Sequence, residues 1–449
     1  MATLETHGVR EPPRTLGGLL RNVGPGVVVA GSVVGAGELL VTPRVGAQVG
    51  FIFLWGVVFA CLAKFFIQLE LGRQCILHNR TTIQILDRIP GPRFRNTSWL
   101  VWLCIAGYLS VTLTLIGILG SVSGVLAVIF PGMSPRAWAV VVFVVLSILL
   151  WRGLYKDLEK MVMTLVASFS LVVVTSLLLL QGTPYAITAP EIVSGFGFAL
   201  PADGAFVALA LMGAVGTTAV ELFMYPYWVK EKGYPEFVGP QEDTPEWRAR
   251  YRGWMRVLTT DALVCTCIAL FVTCVYYLLG AAVLARLKVL PEGVRVVEQV
   301  SLIFTKSFGD WAFYVFMVGA LCTLFATLLV FSASSGRIGA DFLRQIGVGR
   351  WDAAGRAQSA VNWMRTLQIA FPLLWLSFIL VDLRTLDFVL KGANANNMFL
   401  IPLAYGVLHL AMRTPTQQRM SLGVECSLLF TIWAILNFTV TNLFHLFTA

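Results

Sequence analysis

Charged residues are scarce in this sequence, and groups of metal-binding or catalytic residues are scarcer still. Only 13% of the 449 residues are Asp, Glu, Lys or Arg, whereas 57% are hydrophobic, which excludes an ordinary soluble globular protein. The four histidines are scattered, and none of the eight cysteines forms a Cys-x-x-Cys pair, which excludes the common zinc and redox motifs. The sequence has no phosphate-binding loop and no Ser/His/Asp constellation, so we expect no enzymatic activity.

The sequence contains many long apolar segments. Runs such as FIFLWGVVFACLAKFFIQLEL (51–71) and LFVTCVYYLLGAAVL (270–284) are long enough, with their flanks, to cross a bilayer as helices. The alternation of a membrane barrel is absent, so the spans are predicted to be helical. The eleven predicted spans are 24–49, 51–72, 98–130, 137–151, 159–181, 204–229, 257–285, 311–333, 364–381, 386–411 and 421–446. The sequence therefore predicts an all-α polytopic membrane protein.

Lys and Arg are distributed unevenly among the predicted loops. Most of the 33 lie on the side of the N-terminus, and residues 182–203 contain none. The positive-inside rule thus predicts a multi-pass protein of the plasma (inner) membrane with a cytoplasmic N-terminus. Because the number of spans is odd, the C-terminus is predicted to lie outside. The net charge of +9 then reflects topology and contact with anionic lipid, not nucleic-acid binding.

Two predicted spans are interrupted by glycine and small polar residues. Span 1 contains GSVVGAGELLVTPRVG (31–46), and span 6 contains LMGAVGTTAVELFMYPYW (211–228). Glycine permits non-helical backbone, and each interruption is followed by a glutamate. The break residues expected to contact a substrate are Ser32, Gly35, Ala36, Gly37 and Glu38 in span 1, and Gly213, Gly216, Thr217, Thr218 and Glu221 in span 6.

The two breaks begin matching halves of the chain. Residues 1–23 form a cytoplasmic segment, 24–181 a first repeat (spans 1–5), 204–411 a second repeat (spans 6–10), and 421–446 span 11. Interrupted helices at matching positions of two halves indicate a transporter site, because unwound backbone is tolerated in a membrane only where it lines a cavity or is buried. The alternative is that the glycines only allow close helix packing.

Five short motifs resemble a known family. GPG (24–26), GAQVGF (46–51), LALMGA (209–214), GRIGADFL (336–343) and FLIPL (399–403) are similar to segments of the Nramp family of divalent-metal transporters. The resemblance extends over nearly the whole chain. It implies a LeuT-type fold with eleven transmembrane helices, arranged as two inverted five-helix repeats plus span 11.

The chain departs from that family at the metal site. Where transition-metal members carry Asp-Pro-Gly-Asn, residues 35–38 are Gly-Ala-Gly-Glu, and where they carry Met-Pro-His, residues 217–219 are Thr-Thr-Ala. The resemblance places Thr114 and Gly117 where metal transporters tend to hold acidic residues, and span 3 contains no acidic residue at all. We therefore expect a divergent branch without a transition-metal site or its proton relay.

Several polar residues inside the predicted spans need a role, since such residues are costly in lipid. Glu38 caps the second half of span 1, binds a substrate or coupling ion, or pairs with Arg44 or Lys64. Asn394 and Asn397 share a helical face and either line the pathway or belong to an interfacial segment. The candidates for coupling or charge balance are Glu38, Glu221, Lys64 and Lys391.

Two substrate classes fit these residues. The favoured one is a small oxyanion such as bicarbonate, held by half-helix N-termini and hydroxyls, because metal ligands and proton route are lost together. The alternative is a hard cation such as Mg²⁺, bound by Glu38 and Glu221. A non-transporting sensor or scaffold is the third interpretation.

We expect a monomer in the lipid bilayer with a small inorganic ion as substrate, no nucleic-acid partner, no cofactor, and H⁺ or Na⁺ as the candidate co-transported ion.

Overall fold

A computed structural model shows how these segments fold. The structure describes residues 8–26, 29, 35, 37–152, 155–199, 201, 205–292, 295–348, 360–382, 384–414, 423–433 and 435–436. Ser32 and Ala36, two of the predicted site residues, lie outside the described residues.

Helices account for most of the described chain. They are α1 Leu16–Asn22, α2 Thr42–Val49, α3 Leu54–His78, α4 Thr82–Leu86, α5 Trp99–Ser110, α6 Thr112–Ile129, α7 Pro135–Arg152, α8 Tyr155–Leu180, α9 Ala189–Ser194, α10 Ala205–Ala214, α11 Ala219–Glu231, α12 Tyr234–Val238, α13 Pro245–Leu279, α14 Val296–Val300, α15 Leu302–Phe308, α16 Ala312–Gln345, α17 Ala360–Val381, α18 Thr385–Arg413 and α19 Gly423–Trp433. Two π-helical turns, Gly37–Val41 and Gly280–Leu284, precede α2 and continue α13. The short strands β1 Arg93–Phe94 and β2 Thr97–Ser98 pair antiparallel, with Arg93 opposite Ser98.

Six helical segments of the described chain are long and apolar enough to cross a membrane. They are Leu54–His78, Trp99–Ile129, Pro245–Leu284, Ala312–Gln345, Trp363–Val381 and Thr385–Arg413. Shorter apolar helices cover Pro135–Trp151, Ser170–Leu180 and Gly423–Trp433. The protein is thus a multi-pass helical membrane protein, and the total of eleven spans stays a prediction.

Helix α13 begins earlier than the sequence predicts. The expected start at residue 257 moves to Pro245, because Thr244 caps the helix by accepting a hydrogen bond from the Trp247 main-chain N–H at 3.2 Å. The aromatic side chains of Trp247, Tyr251 and Trp254 are buried in these added turns. Residues 245–256 therefore form a packed extension of α13.

The helices around the two breaks pack closely. Helix α18 lies against α6 and α10, while α3 lies against α13 and α11. A Cβ atom on Gly392 of α18 would collide with Thr114 of α6, so only glycine allows these two backbones to approach so closely. This packing brings α6 and α18 up against the interrupted segment that follows α10.

Candidate functional site

The predicted break in span 6 is confirmed. Helix α10 ends at Ala214 and α11 begins at Ala219, so four residues separate the two half-helices. Gly216 lies between them with φ +63°, a left-handed conformation that residues with a Cβ rarely adopt. A Cβ at this position would also lie 3.0 Å from Cα of Cys61.

Glu221 and Thr218 cap the second half-helix reciprocally. The main-chain N–H of Thr218 donates to Oε2 of Glu221 at 2.8 Å, and that of Glu221 donates to Oγ1 of Thr218 at 3.4 Å. This capping box satisfies main-chain donors that a helix start would otherwise leave unpaired. The Glu221 carboxylate, which is 1% exposed, therefore stabilises the break.

Glu38 has a similar position after the break in span 1. Gly35 lies in a turn, and the chain becomes helical again from Gly37. Oε1 of Glu38 accepts a hydrogen bond from the Thr273 hydroxyl at 3.0 Å, and Oε2 accepts a long one from the Gly35 main-chain N–H at 3.4 Å. The side chain is fully buried. These contacts fit the capping interpretation of Glu38, with α13 supplying a further donor.

Lys64 contacts the other side of the span 6 break, at the C-terminal end of α10. Its ammonium donates to the main-chain carbonyls of Met212 at 2.8 Å and Val215 at 2.7 Å. The side chain is 2% exposed, and among the described residues no carboxylate lies within 4 Å of it. Lys64 therefore satisfies the negative, carbonyl-bearing end of the half-helix.

A small cavity of about 40 Å³ lies between the two breaks and the helices that flank them. Its lining residues are Gly37, Val111, Thr114, Leu115, Ile118, Ala214, Thr218, Thr327, Phe331, Val389, Ala393 and Asn396. Since roughly 10–15 Å³ suffices for one water molecule, this space is the size of a small inorganic ion or a few waters. Residues that adjoin both breaks thus line one small cavity, and its role as the binding site stays a prediction.

Two buried polar atoms of this lining lack a hydrogen-bond partner within the described part of the chain. They are Oγ1 of Thr114 and Oδ1 of Asn396, whereas the Asn396 amide nitrogen donates to the Gly213 carbonyl at 3.1 Å. Buried polar groups are normally paired, because leaving them unpaired costs free energy. Unpaired atoms that face a cavity are suited to a ligand that binds there.

The chemistry of the described lining is neutral. It offers hydroxyl and amide groups, and it contains no carboxylate, thiol, thioether or imidazole. No group of three or more His, Cys, Asp or Glu side chains that could hold a metal ion occurs in the described residues. The lining therefore supplies hydrogen bonds without a set of soft or anionic metal ligands.

The other predicted site residues are divided between the cavity and its surroundings. Thr217 turns away from the cavity, because its hydroxyl donates to Oε1 of Gln68 on α3 at 3.1 Å. The amide of Asn394 donates to the Leu390 carbonyl of its own helix at 3.2 Å. Asn397 is buried against Gly213.

Lys391 does not line the cavity. The sequence suggests it for charge balance in the bundle, but it is exposed, whereas Gly392 and Ala393, the next two residues of α18, are buried. Consecutive helical residues point about 100° apart, so only one face of α18 reaches the cavity. Lys391 lies outside that face and is not among the residues that line the cavity, so its role in charge balance stays a prediction.

Asn396 is the functional candidate that the sequence interpretation misses. It lies on the same face of α18 as Gly392 and Ala393, whose small size permits the contact with α6 and α10. A polar residue three or four positions after two small ones marks the packed face of a membrane helix, and this signal identifies it within GANANN. Thr327 of α16, also in the lining, has no comparable signal in the sequence.

Comparisons with known proteins agree with this architecture. The family model described as natural resistance-associated macrophage protein-like (Nramp) matches residues 26–444. No curated protein matches the chain.

Three solved structures illustrate the likeness in fold. A variant of the Eremococcus coleocola manganese transporter is 13% identical, with a TM-score of 0.66 over 98% of this chain and 90% of that one. Mhp1, a nucleobase-cation-symport-1 family transporter in a closed conformation with bromovinylhydantoin bound, is 13% identical, with a TM-score of 0.55 over 98% and 94%. MhsT in complex with L-phenylalanine is 15% identical, with a TM-score of 0.55 over 97% and 99%. The predicted LeuT-type fold is confirmed.

Proposed function

Because the chain belongs to the Nramp family, we propose that it moves a small oxyanion such as bicarbonate across the membrane by alternating access through the cavity between the two breaks. Membership of this family and the shared fold make the chain a membrane transporter of the Nramp type. The identity of the transported ion is our proposal.

One observation carries the choice of an anion. The described lining is neutral, and the nearby carbonyls of Met212 and Val215, which could otherwise bind a cation, already bind the Lys64 ammonium. A free cation entering this cavity would have to compete with a covalently tethered one. An anion would instead find the hydroxyl donors of Thr114 and Thr218, and the positive charge of Lys64 lies nearby.

The ends of the two half-helices support the same choice. Gly37 and Thr218, which begin the second half-helices of spans 1 and 6, both line the cavity. The positive end of the helix dipole favours anions at such positions, while the main-chain N–H groups of Thr218 and Gly35 already donate to the carboxylates of Glu221 and Glu38. Thr218 accepts a hydrogen bond from Glu221, and its own hydroxyl hydrogen donates to no protein group among the described residues.

Transition-metal transport fits this lining poorly. Thioether, thiolate and imidazole groups are the ligands that select soft metals. Residues 27–36 of the sequence, VVVAGSVVGA, contain neither such a group nor a carboxylate. We therefore propose that the site does not accept Mn²⁺. Glu38 and Glu221 adjoin the cavity without lining it.

Transport of a hard divalent cation such as Mg²⁺ is the second candidate. It is favoured by two buried carboxylates, Glu38 and Glu221, which lie at the two breaks. Hard cations bind oxygen ligands and often retain water. Such a cation would have to displace the hydrogen bonds from Thr218 and Thr273 that these carboxylates accept.

Flux into proteoliposomes separates these candidates. The vesicles carry a pH dye in one preparation and a Mg²⁺ dye in another, with protein-free vesicles as the control. Imposed inward bicarbonate gradients should raise the internal pH, because entering bicarbonate consumes protons, whereas CO₂ diffusion lowers it. A protein-dependent Mg²⁺ signal without internal alkalinisation would replace the anion proposal by the cation one.

A further inference from the structure

Lys64 has an unusual environment for a buried lysine. In the described chain its ammonium has no carboxylate partner within 4 Å, and both of its hydrogen bonds go to main-chain carbonyls at the end of α10. Burying an ammonium without a counter-ion is costly, so the carbonyls and the negative end of the helix dipole must compensate for it. The lysine and the half-helix end therefore form one electrostatic unit.

Side-chain donors bind three of the carbonyls at this helix end. Between the two carbonyls that bind Lys64, the Gly213 carbonyl accepts the Asn396 amide. The Ala214 carbonyl packs against Gly37, where a Cβ would collide with it. Clustered carbonyl oxygens at an interrupted helix are the type of ligand that coordinates Na⁺ in transporters built on broken helices.

We infer that Lys64 is a tethered substitute for a bound monovalent cation, so that transport by this chain does not require Na⁺. The ammonium donates hydrogen bonds to the carbonyl oxygens of Met212 and Val215. It thus supplies the positive charge that a coupled cation supplies in other transporters. This inference rests on the proposed function only for its consequence in transport. The claim that Lys64 takes the place of a bound cation does not depend on which substrate is transported.

The inference predicts a gain of cation binding when the ammonium is removed. Lys64→Met keeps the length and apolar stem of the side chain, but leaves the two carbonyls unpaired in a buried site. Na⁺ or K⁺ should then bind there and stabilise the folded state by mass action. Lys306→Met is the matched control, since Lys306 is an exposed lysine on α15.

The test measures the thermal unfolding midpoint of the purified full-length protein in detergent. The salts are sodium, potassium, lithium and choline chloride at equal ionic strength. For wild type, and likewise for Lys306→Met, the unfolding midpoint should be the same in all four salts. Lys64→Met should unfold lower in choline chloride and recover about 2–4 °C or more, saturably, in at least one of the alkali salts. Equal midpoints of Lys64→Met in all four salts would overturn the inference.

A second variant, Lys64→Gln, keeps the inference testable if Lys64→Met does not fold. Lys64→Gln retains N–H donors for one carbonyl without the charge, and it should show a smaller response to the same alkali cation. If Lys64→Met does not fold in any salt and the unfolding midpoint of Lys64→Gln does not change with the alkali cation, the inference is also overturned. In proteoliposomes, bicarbonate flux should be independent of Na⁺ for wild type and stimulated roughly tenfold by the binding cation for the variant. If wild type moves no bicarbonate, the proposed function fails, while the thermal measurement still decides the role of Lys64.

Discussion

The Thr273 hydroxyl donates to Oε1 of Glu38 at 3.0 Å, and the two residues are 235 positions apart in the sequence. The bond joins α13 to the first turn after the break in span 1. Both side chains are fully buried, so water does not compete for it. The orientation of the half-helix that begins at Gly37 therefore depends on a residue of another helix.

Replacement of Thr273 by valine should destabilise the protein, because it keeps the side-chain shape and removes a donor to a buried carboxylate. We expect a loss of about 1–3 kcal/mol in the free energy of unfolding. The matched control is Thr266→Val on the same helix, since the buried Thr266 hydroxyl has no partner in the described chain. Urea or thermal unfolding in detergent measures both variants, and equal losses would show that the Glu38 bond contributes nothing.

Thr114→Val should separate stability from transport. The Thr114 hydroxyl is buried at the cavity and has no partner among the residues that the structure describes. Its removal should therefore leave the free energy of unfolding unchanged or raise it by about 1–3 kcal/mol. Flux should nevertheless fall about three- to tenfold, the expected effect of losing one hydrogen bond to the ion. Thr323→Val removes another buried hydroxyl that has no partner within the described chain. Thr323 lies outside the cavity lining, so this change should leave flux unaltered. Unaltered flux in both variants would exclude Thr114 from the binding site.

Asn396→Leu should impair transport more than Asn394→Leu. Asn396 lines the cavity and holds the Gly213 carbonyl, whereas the Asn394 amide bonds to its own helix. The first change leaves a buried carbonyl unpaired beside the break, at a cost of about 1–3 kcal/mol, and also removes a polar group from the cavity. Initial rates of bicarbonate flux at equal protein density make the comparison. A larger loss for Asn394→Leu would reverse the assignment of these two residues.

Glu70→Gln should reduce stability without a specific effect on transport. Glu70 and Arg73 form a fully buried ion pair on α3, which Gln74 extends through a bond of 2.8 Å to Oε1. Removing one partner of such a pair costs about 3–5 kcal/mol, because the other charge stays buried. The Arg295–Glu298 pair has the same i, i+3 spacing but lies at the surface, with an exposed arginine and a half-buried glutamate, so Glu298→Gln should change the unfolding midpoint very little. The yield of folded Glu70→Gln and its flux per reconstituted molecule test this, and normal stability would contradict it.

The sequence predicts the fold better than it predicts the site. Glycines 35, 37, 213 and 216 mark the interruptions, because backbone freedom is a local property that a single residue type reports. The capping box of Thr218 and Glu221 is also local, as its Thr-x-x-Glu spacing is visible in the sequence.

Contacts between helices leave no comparable trace in one sequence. Nothing near Lys64 indicates that its partners are main-chain carbonyls of α10, and nothing near Glu38 points to Thr273. The rotation of α18 likewise decides that Asn396 reaches the cavity while Lys391 does not. These features follow from tertiary packing, which a hydropathy pattern defines only to the level of a helical face.

The most direct measurement offers both kinds of ion to the same vesicles. Proteoliposomes receive radiolabelled bicarbonate and radiolabelled manganese together, with the Eremococcus coleocola manganese transporter in parallel vesicles as the reference. A cavity lined by threonine hydroxyls and an asparagine amide, with a lysine fixed at the adjacent helix end, predicts uptake of the carbon label and none of the manganese label above protein-free vesicles. Manganese uptake comparable to that of the reference, without accumulation of the carbon label, would contradict the account.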